Sequence, residues 1–195
     1  GIRSLDVRRR HTGNNFAIHH GRVFQHLFFD DVLAACSAFL RRYPSECIII
    51  SIKEEHHPLH NTRTFEQTFD DYARRYAGQW YLGDTVPSLG QARGKMVLLR
   101  RVAGRALPQR IQASCWAHNT TFTINNGDTR LRVQDQFVVP DTHAKWSNST
   151  ALLTEARSLS SGALYINFTS GYRPVVFRLP NIKKVAHTMS AHITR

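Results

Sequence analysis

Hydrophobic residues follow two spacings along this chain, one typical of buried strands and one of helices. Continuous apolar runs over 47–53 and 95–101 predict strands covered on both faces. Apolar residues at every third or fourth position predict helices over about 29–42 and 64–77. Further strands are predicted at 131–135 and 163–168, and further helices at about 141–159 and 180–193. Strands that alternate with helices predict an α/β fold with a mainly parallel sheet.

The first twenty residues predict a β-hairpin. Alternating apolar positions predict one strand that ends at about Arg8. A turn is predicted at 11–15, and a second strand over 16–20. A turn centred on Asn14 places Arg8 opposite His20, and a shift of one residue keeps them neighbours. Such a pair suits phosphodiester cleavage, because the guanidinium neutralises charge on phosphorus and the imidazole moves a proton. The alternative is that His19 and His20 only end the strand.

Composition narrows the possible partners. The chain has 195 residues, of which 42% are hydrophobic and 21% charged, so a packed core is expected. No apolar run approaches the roughly 18 residues of a membrane span. The net charge of +12 favours a polyanionic partner such as nucleic acid, an anionic membrane or a phosphorylated substrate. The widely spaced Cys36, Cys47 and Cys115 argue against a disulfide framework and against a zinc site.

Polar residues stand where the predicted strands end. They are Arg8, His20, Lys53, Arg101, Asp135 and the pair Thr169 and Ser170. In a parallel barrel the carboxyl ends of the strands meet at one rim, which carries the active site. Polar residues also end strands for no functional reason, but a set that binds phosphate and hydroxyl groups favours a site.

Seven short sequence stretches, taken in their order along the chain, resemble a known family. They are 1–8, 19–21, 44–46, 48–53, 92–101, 133–135 and 164–170. In this order they resemble the bacterial-type phosphatidylinositol-specific phospholipase C family over almost the whole chain. The resemblance implies a single X-type catalytic domain over 1–195, folded as a distorted TIM-like barrel. About six of the usual eight strands are visible in the sequence, so we expect the barrel to be incomplete.

The resemblance also implies a role for individual residues. Arg8 matches the arginine that stabilises the phosphorane-like state, and His20 the general acid that protonates the diacylglycerol oxygen. Lys53, Arg101 and Asp135 match family residues that bind the inositol hydroxyls. Trp116 matches a residue that lines the inositol pocket, and Phe137 stands where the family has a tyrosine that stacks on the ring. The family's general-base histidine and the aspartate of its last strand have no counterpart here. We therefore expect a domain cut at both ends and inactive by itself.

The activity implied is metal-independent and needs no cofactor. It is cleavage of phosphatidylinositol to diacylglycerol and inositol 1,2-cyclic phosphate, the reaction of a phosphatidylinositol diacylglycerol-lyase. The implied partners are phosphatidylinositol or a glycosyl-phosphatidylinositol lipid and an anionic membrane surface, without nucleic acid. We expect a secreted monomer that acts at the membrane from outside the cell.

Two other interpretations stay open, and a third is disfavoured. A non-catalytic domain that binds inositol phosphate or anionic membranes would use the same barrel. A glycerophosphodiester phosphodiesterase would need carboxylates where Ser4 and Gly21 stand, to hold a divalent ion. A metal site in the acidic and histidine-rich run 54–60 is disfavoured, because Pro58 interrupts the helix that such a site requires.

Overall fold

The computed structural model describes residues 3–102, 111–158, 162–174 and 182–193. These ranges contain, in chain order, β1 (Ser4–Thr12), β2 (Asn15–His20), β3 (Val23–Phe28), α1 (Phe29–Arg42), β4 (Ile48–Glu54), α2 (Phe65–Arg75), β5 (Trp80–Tyr81), α3 (Leu89–Ala92), β6 (Met96–Arg100), β7 (Ile111–Gln112), β8 (Thr121–Asn126), β9 (Thr129–Gln134), α4 (Thr142–Ser158), β10 (Leu164–Asn167) and α5 (Ile182–Ile193). The chain divides into two compact units, Gly1–Ser114 and Cys115–Arg195. The single domain over 1–195 stays a prediction, and each unit is described by itself.

The first unit is built on a seven-stranded mixed sheet. Its strand order is β3-β2-β1-β4-β6-β5, and β7 also pairs with β6. β1, β4 and β6 are parallel neighbours, whereas β2 and β3 are antiparallel additions beside β1. Parallel neighbours need a crossover connection, and the helices of this unit supply it. The parallel α/β arrangement predicted from the sequence is therefore present.

One face of this sheet forms the hydrophobic core. Its strand residues include Val7, Ile50, Ile52 and Leu98, which pack with Phe29 and Leu33 of α1 and Phe69 and Tyr72 of α2. Side chains alternate between the two faces along a strand. Val7 therefore lies on the core face, and its neighbours Asp6 and Arg8 lie on the other.

Both predicted helices of this unit are confirmed. α1 spans the predicted 29–42, with two acidic residues in its first turn and two arginines in its last. α2 begins after Thr64, whose hydroxyl accepts a hydrogen bond from the Gln67 amide at 3.2 Å. The Gln67 side chain accepts one from the Thr64 amide at 2.9 Å, which completes the capping box.

The hairpin register differs from the prediction by one residue. Thr12 pairs with Asn15, and Arg9 pairs with Ile18. The loop is therefore the two residues Gly13 and Asn14, whose φ angles are 56° and 59°. Positive φ at both positions is typical of a type I′ turn, which matches the twist of the strands. The prediction that Arg8 lies directly opposite His20 is wrong, because this register places Arg8 opposite the preceding histidine.

The second unit has a three-stranded sheet in the order β10-β9-β8. β8 and β9 form an antiparallel hairpin, and β10 lies parallel to β9. α4 packs against β9 and β10, and against α5. The predicted start of the last helix at Pro180 lies outside the described residues.

The prediction of about six strands missed four that the structure contains. β5 and β7 have two residues each, and β3 and β8 lie at sheet edges. Short and edge strands depend on a pairing partner more than on their own hydrophobic pattern, which explains why they were missed. Across the described ranges, no helix is both long enough and apolar enough to cross a membrane.

Candidate functional site

Three predicted cationic residues lie in one row across adjacent parallel strands. The prediction that the first strand ends at Arg8 is wrong, because β1 continues to Thr12 through its pairing with β2. Arg8 of β1 is in register with Lys53 of β4. Arg101 follows β6 directly, and its amide donates to the Ile52 carbonyl at 2.9 Å. Side chains of one row point to the same face of a sheet. The polar face of the first unit therefore presents a cluster of positive charge.

Asp6 joins this cluster through both carboxylate oxygens. Its Oδ1 accepts hydrogen bonds from Arg101 Nη1 at 2.9 Å and from Ser51 Oγ at 3.1 Å. Its Oδ2 accepts one from Arg8 Nε at 3.3 Å. The Arg101 side chain is only 4% exposed, so the carboxylate compensates a nearly buried cation. Asp6 was not predicted as a site residue, although its place two residues before Arg8 on one strand puts both on the same face.

Glu55 connects Arg8 with the turn that follows His20. Its Oε1 lies 3.7 Å from Arg8 Nη1 and accepts a hydrogen bond from the Gly21 amide at 3.1 Å. The Arg8 guanidinium is therefore held by two carboxylates. Glu55 was not predicted as a residue of this site, because the sequence placed it only in the disfavoured metal site. The Arg8 side chain stays 35% exposed, so it is oriented and still accessible to an anion.

The two adjacent histidines lie in different environments. His19 is buried against Phe24, with ring centroids 5.7 Å apart. Its pKa is lowered, first by burial and then by Arg10 and His56. His20 is exposed and pairs with Val23 of β3. His20 is thus the histidine that a ligand can reach, whereas His19 fits the structural role considered for the pair.

Trp116 and Asp135 form the best-defined polar contact among the predicted residues of the second unit. The indole Nε1 donates a hydrogen bond to Asp135 Oδ2 at 2.8 Å. The Trp116 ring packs edge-to-face on Phe122 and Phe168, at centroid distances of 5.3 and 5.9 Å. Asp135 follows directly on β9 and is 8% exposed. This arrangement presents an acceptor beside an aromatic wall, which suits a polyhydroxylated ring.

Phe137 lies in the loop after β9. The backbone groups of this loop make hydrogen bonds that hold it in place. The amides of Phe137 and Val138 donate to Asn119 Oδ1 at 2.9 and 2.7 Å. The Phe137 carbonyl accepts from the Tyr172 amide at 2.7 Å. A Cβ on Gly171 would lie 3.0 Å from that carbonyl oxygen, so the close approach favours glycine. Asn119 is a further residue that our sequence analysis missed.

The family described as "Phosphatidylinositol-specific phospholipase C, X domain" matches residues 1–102, which is more than half of the chain. The chain belongs to this family. It is 33% identical over 184 residues to the 1-phosphatidylinositol phosphodiesterase of Staphylococcus aureus (strain Newman), covering 87% of this chain and 58% of that protein. The protein of the same name from Listeria monocytogenes is 23% identical over 176 residues, covering 87% of this chain and 51% of that protein.

Solved structures of this family share the fold. The S. aureus phosphatidylinositol-specific phospholipase C superposes with a TM-score of 0.85 at 29% identity, covering 99% of this chain and 68% of that one. The L. monocytogenes enzyme superposes with a TM-score of 0.68 at 21% identity, covering 99% and 66%, and shows the fold alone. The predicted α/β class and incomplete TIM-like barrel are confirmed, since neither described sheet closes on itself. The chain spans 58% or less of the length of these two curated relatives.

Proposed function

We propose that the protein cleaves phosphatidylinositol by intramolecular phosphoryl transfer. The inositol 2-hydroxyl attacks phosphorus, the bond to the glycerol oxygen breaks, and diacylglycerol and inositol 1,2-cyclic phosphate are released. The observation that carries this proposal is the cluster of Arg8, Lys53 and Arg101 on one sheet face, with Arg8 held by Asp6 and Glu55. The names of the family and of the curated relatives support the same reaction.

Arg8 stabilises the negative charge that develops on the phosphoryl oxygens. A guanidinium that is already oriented needs little reorganisation during the reaction, which is the basis of electrostatic catalysis. Asp6 and Glu55 supply that orientation. Because Arg8 provides a fixed positive charge at the phosphate, the proposed reaction requires no divalent metal ion.

His20 acts as the general acid. As the bond from phosphorus to the glycerol oxygen breaks, the protonated imidazole gives its proton to that oxygen. The proton of the inositol 2-hydroxyl goes to a general base, for which the 195 residues offer no counterpart of the family histidine. Exposure of His20 and the hydrogen bond from Gly21 to Glu55 support its place beside Arg8.

Among the proposed inositol-binding residues, Lys53 and Arg101 belong to the first unit, and Trp116, Asp135 and Phe137 to the second. Lys53 and Arg101 donate hydrogen bonds to the hydroxyl groups, and Asp135 accepts hydrogen bonds from them. Trp116 and Phe137 provide apolar walls against the ring. Phe137 can stack as the family tyrosine does, but it offers no hydroxyl group.

The lipid substrate places the reaction at a membrane surface. A net charge of +12 favours an anionic bilayer, whose surface attracts clusters of lysine and arginine. We propose a secreted, monomeric protein that binds this surface peripherally. Glycosyl-phosphatidylinositol lipids carry the same headgroup linkage and belong to the proposed substrate class.

A second candidate function is binding of inositol phosphates without turnover. It is favoured by the cluster of Arg8, Lys53 and Arg101 on one sheet face, which can bind a phosphate group without any proton transfer. The charged cluster and the Trp116–Asp135 pair would serve binding as well as catalysis.

Phosphorus NMR of phosphatidylinositol vesicles tests both functions. The 195-residue chain and the full product of its reading frame are compared in excess EDTA, together with Arg8→Ala and, as a matched control, the exposed Arg93→Ala. We expect the full product and its Arg93→Ala variant to form the cyclic phosphate signal, and Arg8→Ala to lose it. A requirement for calcium contradicts the role of Arg8. Vesicle binding without product from the full protein supports the second candidate.

A further inference from the structure

Lys145 of α4 is a buried cation with no role in the function proposed above. The residue is 0% exposed. Its ammonium donates hydrogen bonds to the Gln136 carbonyl at 2.6 Å and to Gln134 Oε1 at 3.0 Å. Burial lowers the pKa of Lys145 to about 8, and Asp135 is the group that opposes this change. A buried charge is costly unless it is well paired, so this arrangement needs an explanation.

The two acceptors of Lys145 lie on either side of Asp135. Gln134 precedes it at the end of β9, and Gln136 follows it. The Gln136 amide also donates to Gln134 Oε1 at 2.8 Å, and the Asp135 amide donates to the Thr120 carbonyl at 3.1 Å. The Lys145 ammonium therefore contacts the residues on both sides of Asp135, through the side chain of Gln134 and the backbone of Gln136. This fixes the direction in which the Asp135 carboxylate leaves the strand.

The rest of the Gln134 side chain ties this arrangement to the core of the second unit. Its Nε2 lies within hydrogen-bond distance of Ser149 Oγ, Asn167 Oδ1 and the Phe168 carbonyl, at 3.1, 2.8 and 3.0 Å. α4, β9 and β10 are thereby linked through one amide. Polar networks that are satisfied in this way are rigid, and a missing member is expensive.

Asp135 is itself nearly buried, and its described hydrogen bond comes from the Trp116 indole. A carboxylate oxygen accepts hydrogen bonds, which is what recognition of hydroxyl donors demands. Its usefulness for a ligand therefore depends on the direction in which it points.

We propose that Lys145 is a positioning residue that holds Asp135 in the orientation that binds the hydroxyl groups of a polyol such as inositol. Lys145 itself does not touch the ligand in this proposal. The choice of ligand rests on the proposed function, whereas the geometry around Asp135 does not.

The test compares Lys145→Met with Ser149→Ala in the full chain. Methionine keeps the apolar length of lysine and removes its charge and donors. Ser149 is buried on the same helix and belongs to the same network, but it does not contact the Lys145 ammonium in the described structure. The readouts are thermal stability, the NMR signal of the Trp116 indole N–H, assigned with Trp116→Phe, and the Kd for myo-inositol.

We expect Lys145→Met to shift the Trp116 indole signal and to weaken myo-inositol binding about tenfold, within the range of coupling between residues of one hydrogen-bond network. Ser149→Ala should lower thermal stability and leave both other readouts unchanged. In an Asp135→Asn background, Lys145→Met should add no further loss of binding. Lys145→Arg, which keeps the charge and donors, should restore the indole signal.

Equal behaviour of Lys145→Met and Ser149→Ala in the indole signal and in Kd would overturn the positioning role. If wild type does not bind myo-inositol but the indole signal still responds to Lys145→Met alone, the proposed function fails and the positioning role stands. If Lys145→Met does not fold, Lys145→Gln takes its place. That variant keeps one donor without the charge, and an unchanged indole signal and Kd would again overturn the proposal.

Discussion

Two adjacent arginines on β1 show how the two faces of the seven-stranded sheet differ. Arg8 lies on the polar face, where Asp6 and Glu55 pair with it and about a third of its side chain is exposed. Arg9 lies on the core face and is 0% exposed. Its guanidinium carbon is 4.3 Å from the ring centroid of Phe16 and 4.4 Å from that of Phe65. Alternation along one strand therefore places identical side chains in opposite chemical environments.

The positive charge of Arg8 belongs to the proposed site, whereas that of Arg9 is buried in the core. None of the Arg9 side-chain nitrogen atoms has a hydrogen-bond partner among the described residues. Aromatic faces replace those partners through cation–π contacts. Burial lowers the pKa of Arg9, and Glu54 opposes this change from a distance. Arg8 thus contributes through its charge, whereas Arg9 contributes mainly through the apolar surface of its stem.

The largest effect is expected from removing an aromatic wall of the core face. Phe16 is 0% exposed and stacks on Tyr72 at 5.3 Å and packs on Phe65 at 4.7 Å. Phe16→Ala should lower the free energy of unfolding by about 4 kcal/mol, because it creates a cavity and uncovers Arg9. Urea denaturation measures the change, with the exposed Phe28→Ala as control. Similar losses in both variants would contradict the importance of this cluster.

Replacing each of the two arginines by methionine, one at a time, tests whether only the polar face contributes to activity. Arg8→Met should lower kcat on phosphatidylinositol by roughly 10²–10³-fold in the full protein, the usual loss for one electrostatic donor. Arg9→Met should leave kcat unchanged, because Arg9 faces the core. Vesicle assays of the two purified variants give the answer. Equal losses would mean that the two faces are not functionally distinct.

The same pair should behave in the opposite way in stability measurements. Arg9→Met should raise the free energy of unfolding by about 1 kcal/mol, because a buried cation without hydrogen bonds is replaced by an apolar side chain of similar length. Arg8→Met should change it by less than about 1 kcal/mol, as is usual for partly exposed ion pairs. Urea denaturation at neutral pH measures both. A clear loss of stability in Arg9→Met would show that the aromatic cage compensates the cation fully.

The smallest effect concerns pH dependence on the core face. His11 is buried beside Arg9, and its Nε2 lies 2.9 Å from Thr68 Oγ1. Burial lowers the pKa of His11, Arg9 lowers it further, and Glu66 opposes both. In the unfolded chain this histidine gains a proton below about pH 6.5. The unfolded state then binds more protons, so stability should fall as pH drops from about 6.5 towards the lower folded pKa.

His11→Gln isolates this contribution, because glutamine keeps a hydrogen-bonding group but does not titrate in this range. The free energy of unfolding should fall less between pH 7.5 and 5.5 in the variant than in wild type. Urea denaturation at both pH values measures the difference. Parallel pH profiles would show that His11 has the same pKa in the folded and unfolded states.

Local signals were enough to predict the helices of the first unit. The capping box of Thr64 and Gln67 lies within one turn, and the charged ends of α1 are adjacent in sequence to the apolar stripe. The hairpin register was not predictable in the same way. It depends on whether Gly13 and Asn14 both adopt positive φ, and one extra loop residue changes every pair that follows.

The family, the α/β class and the importance of Arg8, Lys53 and Arg101 could be predicted from the sequence, because they follow from patterns within single elements. The side chains that complete the cluster became known only from the fold. Asp6 and Arg101 are 95 positions apart in the chain, yet they form an ion pair at 2.9 Å. Parallel strands are neighbours in space without being neighbours in sequence, so the contact of Asp6 with Arg101 follows only from the fold. The same holds for Glu55 and the Gly21 amide, and for Lys145 and the residues beside Asp135.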